Sequence, residues 1–446
     1  MPPSKRTVRY VIDQQAAVRP EQTFLFAPET GLEFTYGQLQ ADCRSLAKLL
    51  LNSGLRKGDK VSLMMHNGYQ TARLFLGAMY GGFIVSPINL LAQPSQLQYV
   101  IEHSDTRLVF AAAEYLQQLH AILAGIPGPV RLIPVDIDAP SLPEDDGLAD
   151  VQLPEIHPDD DALLMYTSGT TGTPKGVVLT HKNVTTGGLY TSEAHQLTSA
   201  DRVLCALPLY HINGQIVTTV APLVHGGSVV MPHRFSISRY WGMAAQYRCT
   251  WLNIVPTIVS YLLNAPDTLV SCRNLNVTQI RLCRSASASL PPALHHAFEN
   301  KFGISMIETM GLTETAAPVF SNPLDPSRRK YGSPGLPFGN EAKVIDLLGT
   351  TLGPHQQGEI MVRGDNVMRG YYKAPELTSS TLEPDGWLHT GDLGYMDSDG
   401  FYFITGRIKE LIIKGGENIA PREIDEALLK HPAVLEAAVI AVPHDK

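Results

Sequence analysis

The strongest constraint on the fold is an alternation of short apolar runs with helically spaced segments through the first 150 residues. Tyr36 to Ser53 carries apolar residues at helical spacing, opened by Thr35 as an expected N-cap and closed near Gly54. A turn at Arg56-Lys57-Gly58-Asp59 leads into Lys60 to Met65, which reads as a buried strand. A second helix is expected across Gly68 to Tyr80, followed by an apolar segment ending at Pro87. Strands separated by helices of this length predict right-handed βαβ units and a largely parallel sheet. At 446 residues the chain is too long for one hydrophobic core, so two or three units are expected.

Residues 127–160 are rich in Pro, Asp and Glu and read as an exposed connection. Strand and helix signals resume at Ala162 to Tyr166, continue through Val177 to Leu179, and then into a helix from Lys182. Between 331 and 405 short strand candidates (Ala342 to Ile345, Glu359 to Val362, Phe401 to Ile404) are split by Gly, Pro and Asp turns, which predicts a smaller β-rich subdomain. Pro421 to Lys430 reads as a helix and Val434 to Val442 as a strand. A helix and one strand cannot bury a core, so the last domain is expected to be cut short.

Composition narrows the function classes. A net charge of −8 argues against a general nucleic-acid binder. The five cysteines, Cys43, Cys205, Cys249, Cys272 and Cys283, form no CxxC pair and read as reduced thiols. The N-terminus has no apolar h-region, and no stretch approaches the roughly 20 apolar residues of a membrane span. A cytoplasmic protein is the expectation.

The loop Thr167-Ser168-Gly169-Thr170-Thr171-Gly172-Thr173-Pro174-Lys175-Gly176 lies between two strand candidates. Its glycines let backbone N–H groups converge on an anion, its hydroxyls add donors, and Lys175 adds a cation. The spacing is not that of a Walker A loop. Here the chain resembles the adenylate-forming (AMP-binding) superfamily, in its acyl-CoA synthetase branch. Further motifs follow in that family's order, from Thr35-Tyr36 and Lys57-Gly58-Asp59 onward.

The resemblance implies a large N-terminal region of packed α/β sheets with a β-rich subdomain over residues 1–408, then a hinge and the start of a small, incomplete α+β domain over 409–446. It implies ATP, Mg²⁺ and CoA as reactants or cofactors. Thr167, Ser168, Gly169, Thr170, Thr171, Gly172, Thr173 and Lys175 would take phosphate. In Thr309-Met310-Gly311-Leu312-Thr313-Glu314, Thr313 would contact phosphate and Glu314 would hold the magnesium ion, a hard cation suited to carboxylate oxygen. Met310 stands where the family usually has an aromatic residue against adenine, and Gly311 lies beside it. Asp392, in Gly386 to Leu393, would accept hydrogen bonds from both ribose hydroxyls, with Arg407 as a second ribose or phosphate contact.

Tyr210, His211, Asn213, Ser285 and Met310 are the implied acyl pocket, and Ser287 belongs to the floor under the adenylate. Thr167, His211 and Glu314 are the expected catalytic residues, with His211 positioning the carboxylate. Lys409 is the implied hinge, and Gly415 and Gly416 would line a thiol tunnel. The run from Ser285 to Pro291, with Asn213, is similar to the branch acting on small acids such as oxalate or malonate. No arginine can be assigned from sequence to pair a second carboxylate.

The implied chemistry is attack of a carboxylate on the α-phosphorus of ATP, loss of pyrophosphate, and transfer of the acyl group to a thiol. The family lysine that bridges carboxylate and α-phosphate falls beyond Lys446, so this 446-residue form is expected to bind ATP but adenylate poorly. Loading of a non-amino acid onto a carrier protein, or nucleotide binding without catalysis, are the alternatives. No Asp lies within Leu207 to Gly214, which disfavours amino-acid activation.

Overall fold

A computed structural model describes residues 1–141, 150–167, 173–266, 268, 275–414, 417–428, 431, 434 and 437–442. The expected helix forms as Tyr36–Asn52, and Thr35 caps it with a reciprocal pair: Gln38 N–H donates to Thr35 Oγ1, and Thr35 N–H donates to Gln38 Oε1. The next helix, Tyr69–Gly81, is buried at every residue. It can lie that deep because it is closely packed against its neighbour: a Cβ at Gly77 would come within 2.7 Å of Leu46 Cδ2. Burial of Leu74, Phe75, Leu76 and Met79 contributes about 1.5–3 kcal/mol each.

Among the described residues the strands form two large sheets and two small ones. The first is seven-stranded, in the order Gly370–Tyr371, Lys175–Thr180, Asp161–Thr167, Ile84–Pro87, Lys60–Met64, Thr106–Ala111, Arg131–Pro134. Its pairings are parallel except where Lys175–Thr180 turns back on Asp161–Thr167 and pairs with Gly370–Tyr371. The second is nine-stranded and is parallel from Met306–Leu312 through Leu282–Ser285, Trp251–Ile254, Arg202–Cys205 and Ser228–Val230 to Thr23–Phe26. One hydrophobic core runs through residues of both sheets. An antiparallel sheet of Glu341–Ile345, Gly358–Arg363, Leu388–Met396 and Tyr402–Arg407 makes the expected β-rich subdomain.

Two expectations need correction. The stretch 127–160 is not purely a connection: Arg131–Pro134 adds a parallel edge strand beside Thr106–Ala111. Its residues are exposed or half-buried, so it lacks the apolar run that marks a central strand. Near the C-terminus the helix forms over Pro421–Leu428, but the described residues of the expected strand Val434 to Val442 are not in a ladder. The Val439 N–H instead donates to Asp425 Oδ1 at 2.8 Å, since a strand needs a partner to satisfy its backbone. Cys43, Cys205, Cys249 and Cys283 are buried free thiols, while Cys272 lies outside the described residues. Among the described residues no helix is long and apolar enough to cross a membrane.

Candidate active site

The strands that flank the expected phosphate loop, Asp161–Thr167 and Lys175–Thr180, pair antiparallel, with Thr167 directly opposite Lys175. Ser168, Gly169, Thr170, Thr171 and Gly172 lie outside the described residues, as do Gly415 and Gly416. Thr173 is exposed at the end of the loop. Lys175 Nζ sits over the Tyr371 ring, 5.5 Å from its centroid. Tyr371 donates its hydroxyl to Glu314 Oε1 at 2.9 Å. Loop end and candidate metal carboxylate are thereby joined through one aromatic side chain. Lost hydration and the charge of Lys409 push the Lys175 ammonium below its ordinary range, against the pull of Glu314. Lys409 itself lies in the short turn Ile408–Glu410 that follows Tyr402–Arg407.

Glu314 is placed by an irregular end to the strand Met306–Leu312. The register against Ala317–Ser321 shifts between Met310 and Gly311. At Gly311 a Cβ would run into the Ala317 carbonyl, so only glycine fits. The chain then makes a 3₁₀ turn at Thr313–Thr315, and Ala316 and Ala317 both take positive φ, 45° and 78°. Such conformations are uncommon outside glycine and persist only where surroundings hold them. The hold is visible: Asn366 Nδ2 donates to the Thr315 carbonyl at 2.7 Å, and Met368 N–H to the Glu314 carbonyl at 2.7 Å. Thr313 and Met310 are half-buried beside this turn.

Asp392 and Arg407 are Cα partners across neighbouring strands. Arg407 Nε donates to Asp392 Oδ1 at 2.9 Å. Asp392 Oδ2 is buried and meets no donor among the described residues. Burial raises its pKa to about 6; Arg407 opposes this, and Glu314 and Glu410 add to it. Desolvation outweighs the ion pair here because the Arg407 side chain is itself largely in solvent. A buried acceptor without a donor among the described residues suits a ligand hydroxyl.

Of the expected acyl-pocket residues, Tyr210 and His211 pack ring against ring, with centroids 4.7 Å apart. His211 reaches solvent, yet enough protein surrounds it to lower its pKa through lost hydration. A cavity of about 310 Å³ is lined by Tyr210 together with Leu207, Pro208, His66, Arg234 and Phe235. Two residues beyond His211, Asn213 is buried. Its Nδ2 donates to Ser287 Oγ at 3.1 Å, and its Oδ1 accepts from Asn253 Nδ2 at 3.0 Å. Ser287 holds a positive φ of 72°. Ser285 is buried, with its hydroxyl unpartnered among the described residues.

Three groups were missed from sequence. Tyr371 bridges Lys175 and Glu314, Asn253 supports Asn213, and the buried Arg284 Nη1 donates to Asn213 Oδ1 at 2.9 Å and Asn253 Oδ1 at 2.7 Å. An arginine inside the otherwise apolar start of Leu282-Cys283-Arg284 was the available signal.

Lys175, the Glu314 carboxylate in its strained turn and the half-desolvated Asp392 are the polar groups that the expected nucleotide site would use. The chain belongs to the AMP-binding enzyme family, whose profile matches residues 12–372, and within it to the carboxylate–CoA ligase branch. It is 54% identical over 98% of its length to the sulfoacetate–CoA ligase of Cupriavidus necator, of which it covers 85%. It is 34% identical over 90% of its length to an oxalate–CoA ligase of Arabidopsis thaliana, covering 79% of that enzyme. Among solved structures, ATP-bound MatB from Rhodopseudomonas palustris superposes with a TM-score of 0.88 at 30% identity, over 98% of this chain and 86% of that one. The chain is thus an enzyme of the acid–thiol ligase class.

Proposed function

We propose that this enzyme activates a short carboxylic acid bearing a second anionic group, sulfoacetate foremost, and transfers the acyl group to CoA. The observation carrying this choice of acid is the 54% identity to a sulfoacetate–CoA ligase across nearly the whole chain. The relative named for oxalate points to the same size and charge.

In the first half-reaction a carboxylate oxygen attacks the α-phosphorus in line and pyrophosphate leaves. Direct attack by a thiol on a free carboxylate would add charge to an anion, and adenylation removes that obstacle. Lys175 neutralises phosphate charge, with Thr167, Thr313 and the loop 168–173 supplying donors by resemblance. Asp392 accepts from the ribose hydroxyls through its unpaired Oδ2, with Arg407 holding the other oxygen. Glu314, one oxygen of which accepts from Tyr371, is the carboxylate that would hold a magnesium ion, a hard cation suited to oxygen. Such an ion would neutralise charge on the departing pyrophosphate. His211 and Tyr210 position the reacting carboxylate, and Asn213, Ser285, Ser287 and Met310 shape the floor.

In the second half-reaction the CoA thiol attacks the acyl carbon, forming the C–S bond as AMP leaves. We assign residues 1–408 to the adenylating unit and Lys409 to the hinge, with Gly415 and Gly416 toward the thiol. The test is acid-dependent pyrophosphate release with CoA added or withheld. A CoA thioester seen only with CoA supports the reading. Release without any CoA thioester, but with acylation of a carrier protein, would replace CoA by a carrier.

A further inference from the structure

A guanidinium lies inside the nine-stranded sheet with no acid among the described residues to balance it. Arg284 is 1% exposed and stands directly opposite Asn253 on the adjacent strand. Its Nη1 donates to the carboxamide oxygens of Asn213 and Asn253. Its Nε is buried and meets no acceptor among the described residues, and none of their carboxylates pairs with it. Burial alone lowers its pKa, to about 9, with no neighbouring charge opposing. A buried cation held by neutral acceptors is costly unless an anion arrives to neutralise it.

The side chain is tied to the acyl end of the site. Asn213 lies two residues past His211, and its carboxamide links Arg284 on one side to Ser287 on the other. Asn253 braces the same carboxamide by donating its Nδ2–H to Asn213 Oδ1. Asn213 and Asn253 hold the guanidinium fork before any substrate binds. A planar fork whose Nε–H has no acceptor among the described residues matches a carboxylate or two oxygens of a sulfonate, whereas an apolar acyl chain would leave it unpaired.

We propose that Arg284 is the specificity residue that binds the second anionic group of the acid, with Asn213 and Asn253 orienting it. This rests on the reading of the enzyme as a short-acid CoA ligase. It explains why a short pocket needs a charge within the sheet: one methylene gives little discrimination, but a charge pair gives much.

The test compares dianionic acids (sulfoacetate, malonate, oxalate) with the monoanions acetate and propionate, in the full-length enzyme and in Arg284→Gln and Arg284→Lys. The wild type is expected to favour dianions. Arg284→Gln should lower kcat/KM for dianions on the order of 100-fold, mostly through KM, and change that for monoanions less than about threefold. Arg284→Lys should restore part of the dianion activity, which a purely structural role would not predict. Equal losses for both classes, or loss tracking a fall in Tm, would overturn the assignment, as would a wild type indifferent to the second charge. Should the wild type release pyrophosphate with no acid of either class, the underlying ligase reading falls, and the anchor with it.

Discussion

The two polar clusters of this enzyme are built in opposite ways. Around Asn213 the donors and acceptors interlock, with Asn253 and Arg284 placed opposite each other on adjacent parallel strands. Around Asp392 one oxygen is held by a largely exposed arginine at the edge of an antiparallel sheet, and the other has no donor among the described residues. The first cluster is rigid before binding and suits discrimination among acids. The second is half-finished and beside the proposed hinge, which suits a nucleotide that both half-reactions hold and then release. Preorganisation is concentrated where similar substrates must be told apart.

The largest effect should come from the unfinished side. Asp392→Ala is expected to raise KM for ATP by about 100-fold, since two hydrogen bonds to a charged acceptor are lost. Acid affinity should change little, as measured by the acid KM at saturating ATP. A matching loss in acid KM would mean that the clusters are one.

Acidity probes the same carboxylate. Its pKa in the folded, ligand-free enzyme is raised to about 6 from the usual 3.8. Between those values the folded state binds more protons than the unfolded one, so this group adds stability as pH falls from about 6 toward 4. Nucleotide binding needs the anion, so ATP affinity should weaken about tenfold from pH 7 to pH 5 even as the ligand-free protein becomes no less stable through this group. Calorimetric titration at the two pH values checks it, and Asp392→Asn should flatten the dependence.

Smaller still, Tyr371→Phe removes the hydroxyl held by Glu314 and should raise the magnesium concentration needed for half-maximal pyrophosphate release by about threefold to tenfold. The ring under Lys175 remains. Far from both clusters, Thr35→Ala deletes a helix cap and should cost about 1 kcal/mol of stability in denaturant unfolding without moving either KM.

Local signals were legible where one face or one cap decides the structure. Thr35 marked a helix start, and the Gly/Thr/Ser run was placed between two strand candidates that do form, as Asp161–Thr167 and Lys175–Thr180. Asp392 and Arg407 were each singled out by family motifs, but their pairing came from strand register, since 15 residues separate them in sequence. Arg284 stayed hidden for a related reason. Its partners Asn213 and Asn253 come from 71 and 31 residues away, and a strand buried on both faces gives no period to expose a misplaced charge. Tyr371 likewise meets Glu314 across 57 residues. Sequence order displays motifs, whereas hydrogen-bond completion is a property of the packed sheets.

The most direct test of the central claim is product analysis after incubating the full-length enzyme with ATP, magnesium, CoA and sulfoacetate. The account predicts one AMP and one pyrophosphate per sulfoacetyl-CoA formed, with acetate a poor substitute. ATP binding without acid-dependent pyrophosphate release, or equal turnover of acetate and sulfoacetate, would contradict it.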